Sequence, residues 1–141
     1  MGSMTGRYDH SIDPKGRLFL PSKLRSELGN PVYLAVGTDF CLDIYPQAAW
    51  DALAEKVAAL PSSQAAMMDV FFANASKCEP DSQWRILIPQ TLRDYAGLKE
   101  DVVITGNGPK AKIWSRERWE EKEAKELNPA NVANIMASLG I

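Results

Sequence analysis

Two short charged motifs contain the residues of this sequence whose types and spacing could do chemistry. Asp13 and Arg17 stand four positions apart, and Asp81 and Arg85 repeat the pattern. Across a turn, each acid can pair with its arginine, a contact worth at most about 1 kcal/mol when exposed. The planar guanidinium can alternatively bind a phosphate or the edge of a guanine. The spacing alone leaves both interpretations open.

Positive charge is concentrated around the first motif. The chain has a formal net charge of −2, whereas residues 1–28 carry five basic and three acidic residues, a balance of +2. Lys15 and Arg17 flank Gly16 on a predicted projecting turn, from which they can reach a groove or a phosphate. One such turn is a small contact area, so nucleic-acid binding through it would need an oligomer that repeats the turn.

Both motifs belong to an internal repeat. The stretches "DPKGRLFLPSKLR" (13–25) and "DSQWRILIPQTLR" (81–93) share five identities at an offset of 68. A second set of aromatic positions matches at an offset of 69, which makes the repeat about 40 residues long. The aromatic pairs are Tyr45 with Trp114 and Trp50 with Trp119, and we interpret all four as core anchors.

Local patterns predict the elements that position these motifs. Pro14 to Gly16 have the chemistry of a turn, and "RLFLP" is a short apolar strand stopped by proline. "SKLRSELG" predicts a short helix that ends at Gly29. "VYLAVG" and "CLDIY" alternate as strands around a turn at 37–39, and "GNGPK" (106–110) is the equivalent turn of the second half.

Four further helices are predicted. The first covers 46–60, and its apolar face consists of Trp50, Leu53, Val57 and Leu60. The second has an apolar stripe of Met67, Val70 and Phe71. Ser115 can cap the third helix, and Asn128-Pro129 can begin the fourth. The apolar stripe of the fourth helix consists of Val132, Ile135, Met136 and Leu139. We leave the first four residues out of the fold prediction.

Composition excludes several classes of function. No apolar run approaches the roughly 18 residues of a membrane span, and no signal peptide is expected. The single histidine, His10, and two distant cysteines lack the spacing of a zinc site. No acid–base or nucleophile arrangement indicates an enzyme, so we expect no cofactor and no small-molecule substrate. Two cysteines are too few for a disulfide framework and favour a cytoplasmic setting.

The quoted residues resemble the MraZ family of bacterial transcriptional regulators. "GRYDHSIDPKGRLFLPSKLR", "ASKCEPDSQWRILIPQTLRDYAGL" and "IWSRERWEE" carry the resemblance, from about Gly6 to Trp119. It implies a mainly β fold with α-helices: a pseudo-twofold β-barrel of two AbrB-like swapped-hairpin repeats, surrounded by short helices. In such a barrel the "RLFL" and "RILI" faces bury each other and close the sheet edges.

The resemblance also implies a function. The family forms ring-like homo-oligomers that bind double-stranded DNA at repeated boxes upstream of the division and cell-wall gene cluster, which implies a nucleoid-associated protein. The first motif of the family contacts DNA, which maps onto this chain's first turn. The DNA-binding residues predicted here are Arg17, Lys15, Gly16, Arg7 and Arg85.

The second motif departs from the family pattern. Trp84 replaces the turn glycine and Gln83 replaces the lysine, so the turn no longer adopts a positive φ easily and its tip loses charge. The second turn could therefore serve DNA or a subunit interface, and the sequence leaves both open. Two alternative functions also remain: an AbrB-type antitoxin, and an architectural oligomer without an operator.

The resemblance divides the chain into four parts. We predict a first AbrB-like repeat over residues 6–53 and connecting helices over 54–76. A second AbrB-like repeat follows over 77–121, and a C-terminal helical tail over 122–141.

Overall fold

Antiparallel strands and short helices make up the protein. The computed structural model describes residues 2–141, which form eight strands and seven α-helices. The strands are β1 (Arg7–Ser11), β2 (Arg17–Phe19), β3 (Val32–Val36), β4 (Leu42–Pro46), β5 (Ser76–Cys78), β6 (Arg85–Leu87), β7 (Asp101–Asn107) and β8 (Lys110–Ser115). The helices are α1 (Arg25–Leu28), α2 (Gln47–Ala58), α3 (Ser62–Ala65), α4 (Asp69–Ala73), α5 (Gln90–Ala96), α6 (Arg116–Glu126) and α7 (Pro129–Ser138). The predicted mixture of mostly antiparallel sheet and helices is confirmed.

The two repeats exchange strands in a six-stranded sheet. Its order is β1-β7-β8-β4-β3-β5, and every neighbouring pair is antiparallel. β1 of the first repeat pairs with β7 of the second, while β5 of the second pairs with β3 of the first. Strands β1, β3 and β4 of the first repeat correspond to β5, β7 and β8 of the second. Exchanging the two sets gives the same strand order, read from the opposite edge of the sheet. Neither repeat can pair all its strands without the other.

β2 and β6 form a separate two-stranded ribbon, one strand from each repeat. Leu18 lies opposite Ile86, and both side chains are fully buried. Leu20 and Ile88, which follow the two strands, are buried in the same core. The predicted burial of the two repeated apolar stretches against each other is confirmed for these four residues. The hydrophobic effect thus joins the repeats at the ribbon.

The helix boundaries follow local signals. Ser115 Oγ accepts a hydrogen bond from the Arg118 backbone N–H (3.1 Å), and Asn128 Oδ1 accepts one from Asn131 (2.9 Å), so both predicted caps are confirmed. The helix predicted around Met67 is instead three pieces: α3, a 3-10 turn over 66–68, and α4. The two repeats are predicted to end at residues 53 and 121, but helices α2 and α6 continue past these positions.

Two expectations about apolar residues need correction. Tyr45 and Trp114 are buried, but Trp50 and Trp119 are only partly buried, and their rings pack against those of Tyr45 and Trp114 respectively. Trp50 stacks on Tyr33 with ring centroids 4.8 Å apart. Met4, which was left out of the prediction, is buried in the core, and its backbone exchanges hydrogen bonds with Gly108.

Across residues 2–141 we find no helix that combines the length and the apolar character needed to span a membrane.

Candidate nucleic-acid interface

The turn before β2 is organised by one carboxylate. Asp13 Oδ1 accepts hydrogen bonds from the backbone N–H groups of Lys15 (2.9 Å) and Arg17 (2.8 Å). Its Oδ2 accepts a third hydrogen bond from Arg17 Nε, at 2.7 Å. A short-range carboxylate bridge of this kind sets the turn and aims the arginine at the same time.

The turn before β6 repeats this arrangement atom for atom. Asp81 Oδ1 accepts hydrogen bonds from the backbone N–H groups of Gln83 and Arg85, both at 2.9 Å. Asp81 Oδ2 accepts from Arg85 Nε at 2.8 Å. The ion pair that the spacing allowed is therefore formed in both copies. In each pair only Nε is engaged, and within residues 2–141 the terminal amino groups of Arg17 and Arg85 have no hydrogen-bond partner.

Hydrogen bonding shifts the acidity of both carboxyl groups. The backbone N–H of Arg17, helped by its guanidinium and by the Lys15 N–H, lowers the pKa of Asp13 below the ordinary 3.8. The equivalent donors, led by the Arg85 backbone N–H, lower the pKa of Asp81. Both turns are therefore built around ionised aspartates at neutral pH.

Each turn tip is completed by the other repeat. Leu20 N–H donates to the carbonyl of Trp84, and Ile88 N–H donates to the carbonyl of Gly16, both at 2.9 Å. Arg93, whose Nε donates to the Ile88 carbonyl (2.9 Å), lies against the tip at Gly16. A Cβ on Gly16 would come within 2.9 Å of the Arg93 guanidinium carbon. Gly16 also has a φ of +85°, so both its conformation and its surroundings favour glycine.

The second tip differs in its residue but not in its backbone. Trp84 keeps a left-handed φ of +61°, a conformation that tryptophan, unlike glycine, adopts only with strain. The conformation costs a non-glycine residue about 1–2 kcal/mol. Arg25 offsets part of this cost, since its guanidinium carbon lies 5.8 Å from the centre of the Trp84 ring. Trp84 also packs against the hydrophobic core.

The solvent side of the ribbon carries two basic and two apolar side chains. The register places Arg17 opposite Leu87 and Phe19 opposite Arg85. Because side chains alternate along a strand, these four residues share one side, which we call the outer ribbon face. Lys15 is exposed on the tip beside this face. Phe19 and Leu87 lie in the stretches "RLFL" and "RILI", whose mutual burial the sequence predicts, yet they are 42% and 57% exposed. Alternation within "RLF" and "RIL" is the signal that could have found them.

The structure assembles four of the five predicted DNA-binding residues on the ribbon: Lys15, Gly16, Arg17 and Arg85. Arg7 lies elsewhere, on β1 in the six-stranded sheet. Its guanidinium donates to Asp9 (2.9 Å) and approaches Glu123 (3.5 Å), and the hydrogen bond with Asp9 raises the pKa of Arg7. Arg7 is therefore largely neutralised by acids in its own fold.

A protein-family model matches each of the two sequence repeats. The family model for the MraZ protein, whose description adds the term antitoxin-like, matches residues 4–70 and again residues 71–138. The chain belongs to the MraZ family. The two matches correspond to the two repeats that exchange strands in the sheet, and the resemblance inferred from the sequence is confirmed.

Curated relatives match over most of their length. A protein of Heliobacterium modesticaldum is 49% identical over 123 residues, which are 85% of this chain and 86% of that protein. A protein of Carboxydothermus hydrogenoformans is 44% identical over 81% of this chain and 82% of its own. A protein of Clostridium tetani is 41% identical over 96% and 98%. All three are named transcriptional regulator MraZ.

Alanine substitutions at two glycines should separate backbone strain from crowding at the turn tip. Gly97 is left-handed, with a φ of +62° and a ψ of +32°, and an added Cβ would meet only the Arg118 guanidinium at 3.9 Å, so Gly97→Ala should cost about 1 kcal/mol of unfolding free energy. Gly16→Ala should cost about 1 kcal/mol more, because Arg93 must move and lose its bond to the Ile88 carbonyl. Denaturant unfolding of both variants measures the difference, and equal losses would contradict the role of Arg93.

Acid should weaken both turns. Because the pKa values of Asp13 and Asp81 are lowered on folding, their stabilisation is complete above the ordinary pKa of 3.8 and is lost as the pH falls through the lowered values. The double variant Asp13→Asn/Asp81→Asn should be less stable than wild type at pH 7, and the difference should shrink below about pH 4. Denaturant unfolding from pH 7 to pH 3 tests this, and parallel profiles would refute it.

Proposed function

We propose that this chain is a sequence-specific DNA-binding transcriptional regulator of the nucleoid. Its operator would be the repeated short boxes upstream of the division and cell-wall gene cluster. The observation that carries the proposal is the outer ribbon face, where two aspartates hold Arg17 and Arg85 by Nε and leave their terminal amino groups without a hydrogen-bond partner within residues 2–141. The names of the relatives support the same role.

The first turn has the chemistry of a DNA contact. Arg17 can present its two terminal amino groups to guanine O6 and N7 or to phosphate oxygens. Pre-orientation by Asp13 reduces the entropy lost when this contact forms. Lys15 adds an exposed charge for a phosphate. Gly16 is buried against Arg93, so it would contribute by holding the left-handed backbone of the turn rather than by its own contact.

Arg85 and Arg7 would contribute less to DNA binding than the first turn does. Arg85 has the same carboxylate support as Arg17, but Gln83 brings no charge to its turn. We therefore assign Arg85 a weaker DNA contact. Arg7 would contribute least, because Asp9 and Glu123 already neutralise it. Its contribution would be a long-range attraction to phosphates rather than a base contact.

We further propose a ring-like homo-oligomer of pseudo-twofold barrels. The symmetric strand order and the core shared by the ribbon and the six-stranded sheet support the barrel. The tail supports the oligomer, since Val132, Ile135 and Leu139 of the α7 stripe are all exposed. A second copy covering this stripe would multiply the ribbon contacts on one DNA molecule. In this arrangement residues 6–53 and 77–121 are the repeats, and 54–76 and 122–141 surround them.

An antitoxin role is the alternative. The antitoxin-like description of the family and the exposed stripe of α7 favour it, because an amphipathic helix can bind in a partner's groove. Purification from the native host distinguishes the two functions. A small protein bound stoichiometrically through α7 would favour the antitoxin, whereas a homo-oligomer bound to operator DNA would favour the regulator.

Arg17→Ala should abolish operator binding while the fold persists. Loss of the contact should cost about 1–3 kcal/mol per engaged site, and Arg85→Ala should cost less. Asp13→Ala should mainly lower the melting temperature, because it removes the turn's carboxylate. A footprint on DNA upstream of the chain's own gene would define the probe, and gel shifts and thermal melts would compare the three variants.

Comparison of Arg17→Ala with Asp13→Ala is the control for a purely structural role of Arg17. If Arg17 serves only as the partner of Asp13, the Arg17→Ala and Asp13→Ala proteins should behave alike, with slight destabilisation and normal binding. Operator binding by Arg17→Ala at wild-type affinity would overturn the site assignment.

A charged residue on the α7 stripe should reduce the assembly. Ile135→Asp places a charge at the centre of the exposed apolar face and should lower the mass measured by light scattering. Asn134→Asp, which is exposed on the same helix, is the matched control and should keep the wild-type mass. A wild-type protein that stays monomeric at micromolar concentration would refute the homo-oligomer.

A further inference from the structure

We propose that Phe19 and Leu87 are base-reading residues that contact the C5-methyl groups of thymines in the major groove. The inference rests on the proposed function and extends it from charge to sequence selection. It assigns a role to two apolar side chains that lie outside the buried core.

The exposure of these two residues is the first observation. Phe19 and Leu87 are 42% and 57% exposed, whereas Leu18 and Ile86, their neighbours in the strands, are 0% and 1% exposed. An antiparallel sheet with one buried face normally carries polar residues on its solvated face. Two large apolar residues on the solvated face of so short a ribbon therefore indicate a surface that is covered in a complex.

The arrangement of charge indicates what covers the surface. The register sets Phe19 and Leu87 on one diagonal of the outer ribbon face and Arg17 and Arg85 on the other. Lys15 adds a further positive charge at the tip. Asp13 and Asp81 offset the charges of the two arginines, but the unpartnered amino groups can still donate to an anion, and the major groove of B-DNA accepts a two-stranded ribbon. The arginines would contact phosphates or guanines while the apolar pair lies against the floor of the groove.

Thymine is the base that these side chains can distinguish. It alone among the four bases presents a methyl group in the major groove, and phenylalanine is one of the side chains that contact it. Burial of one methyl group is worth about a fourfold change in affinity. Diagonal neighbours in an antiparallel pair are about 7–8 Å apart, which is about two base-pair steps of 3.4 Å. The two thymines read would therefore lie about two base pairs apart.

The ring of Phe19 also contacts Arg85, one of the two arginines of the outer ribbon face. The guanidinium carbon of Arg85 lies 5.9 Å from the centre of the Phe19 ring. Removal of the ring would thus disturb Arg85 as well as any methyl contact. Affinity alone cannot separate these two effects, so the experiment must vary the DNA methyl group and the protein side chain together.

The experiment uses the duplex defined by the footprint and replaces each thymine in turn by deoxyuridine, which lacks only the methyl group. The full-length wild-type protein should lose about fourfold in affinity at two positions about two base pairs apart. Phe19→Ala should abolish the loss at one of these positions, and Leu87→Ala should abolish it at the other. Phe40→Ala removes a similarly exposed ring from the turn between β3 and β4 and should keep both losses.

The outcomes separate this inference from the function on which it rests. Equal binding of thymine and deoxyuridine duplexes by wild type, or unchanged discrimination in both variants, would overturn the methyl contacts alone. A change of oligomer mass in the variants, with discrimination intact, would assign the pair to a subunit interface and also overturn them. Absence of any footprint would refute the regulator and the inference together. Phe19→Leu, which keeps an apolar side chain, should restore part of the discrimination if the alanine variant melts early.

Discussion

The antiparallel pairing of β2 with β6 is the constraint on which the rest of the structure depends. It buries Leu18 against Ile86 and sets the two turn tips against strands of opposite repeats. The carbonyl of Gly16 accepts from Ile88, and the carbonyl of Trp84 accepts from Leu20. Since each repeat supplies half of the ribbon, neither tip can be completed by its own repeat. The exchange of β1 and β5 in the large sheet follows the same rule.

This constraint explains how the second tip tolerates a tryptophan. The backbone at residue 84 is held by the partner strand, so the chain retains a left-handed conformation that tryptophan disfavours. The Trp84 ring lies beside the guanidinium of Arg25. At the first tip the equivalent space beside Gly16 is taken by the Arg93 guanidinium. The two tips thus share a backbone and differ in what they present to solvent.

Four arginines in repeated positions divide into two roles. Arg25 and Arg93 donate through Nε to the carbonyls of Leu20 and Ile88, which end the paired strands. Arg17 donates through Nε to a carboxylate at the start of its strand, as Arg85 does in the other repeat. Arg25 and Arg93 therefore satisfy backbone carbonyls just after the paired strands. The second pair lies on the outer ribbon face, where a carboxylate fixes the guanidinium without using its terminal amino groups.

The sequence by itself determined what depends on neighbours a few residues away. The Asp13 turn, the caps at Ser115 and Asn128, the short strands and the family were all predictable, because their hydrogen bonds and patterns are local. Tertiary structure decided which side chains meet across the repeats. The exposure of Phe19, the burial of Met4 and the left-handed Trp84 each depend on contacts with chain segments far away in sequence. Alternation along β2 separates Leu18 from Phe19, but apolar residues occupy both sides of so short a strand, so only the tertiary structure shows which side is buried.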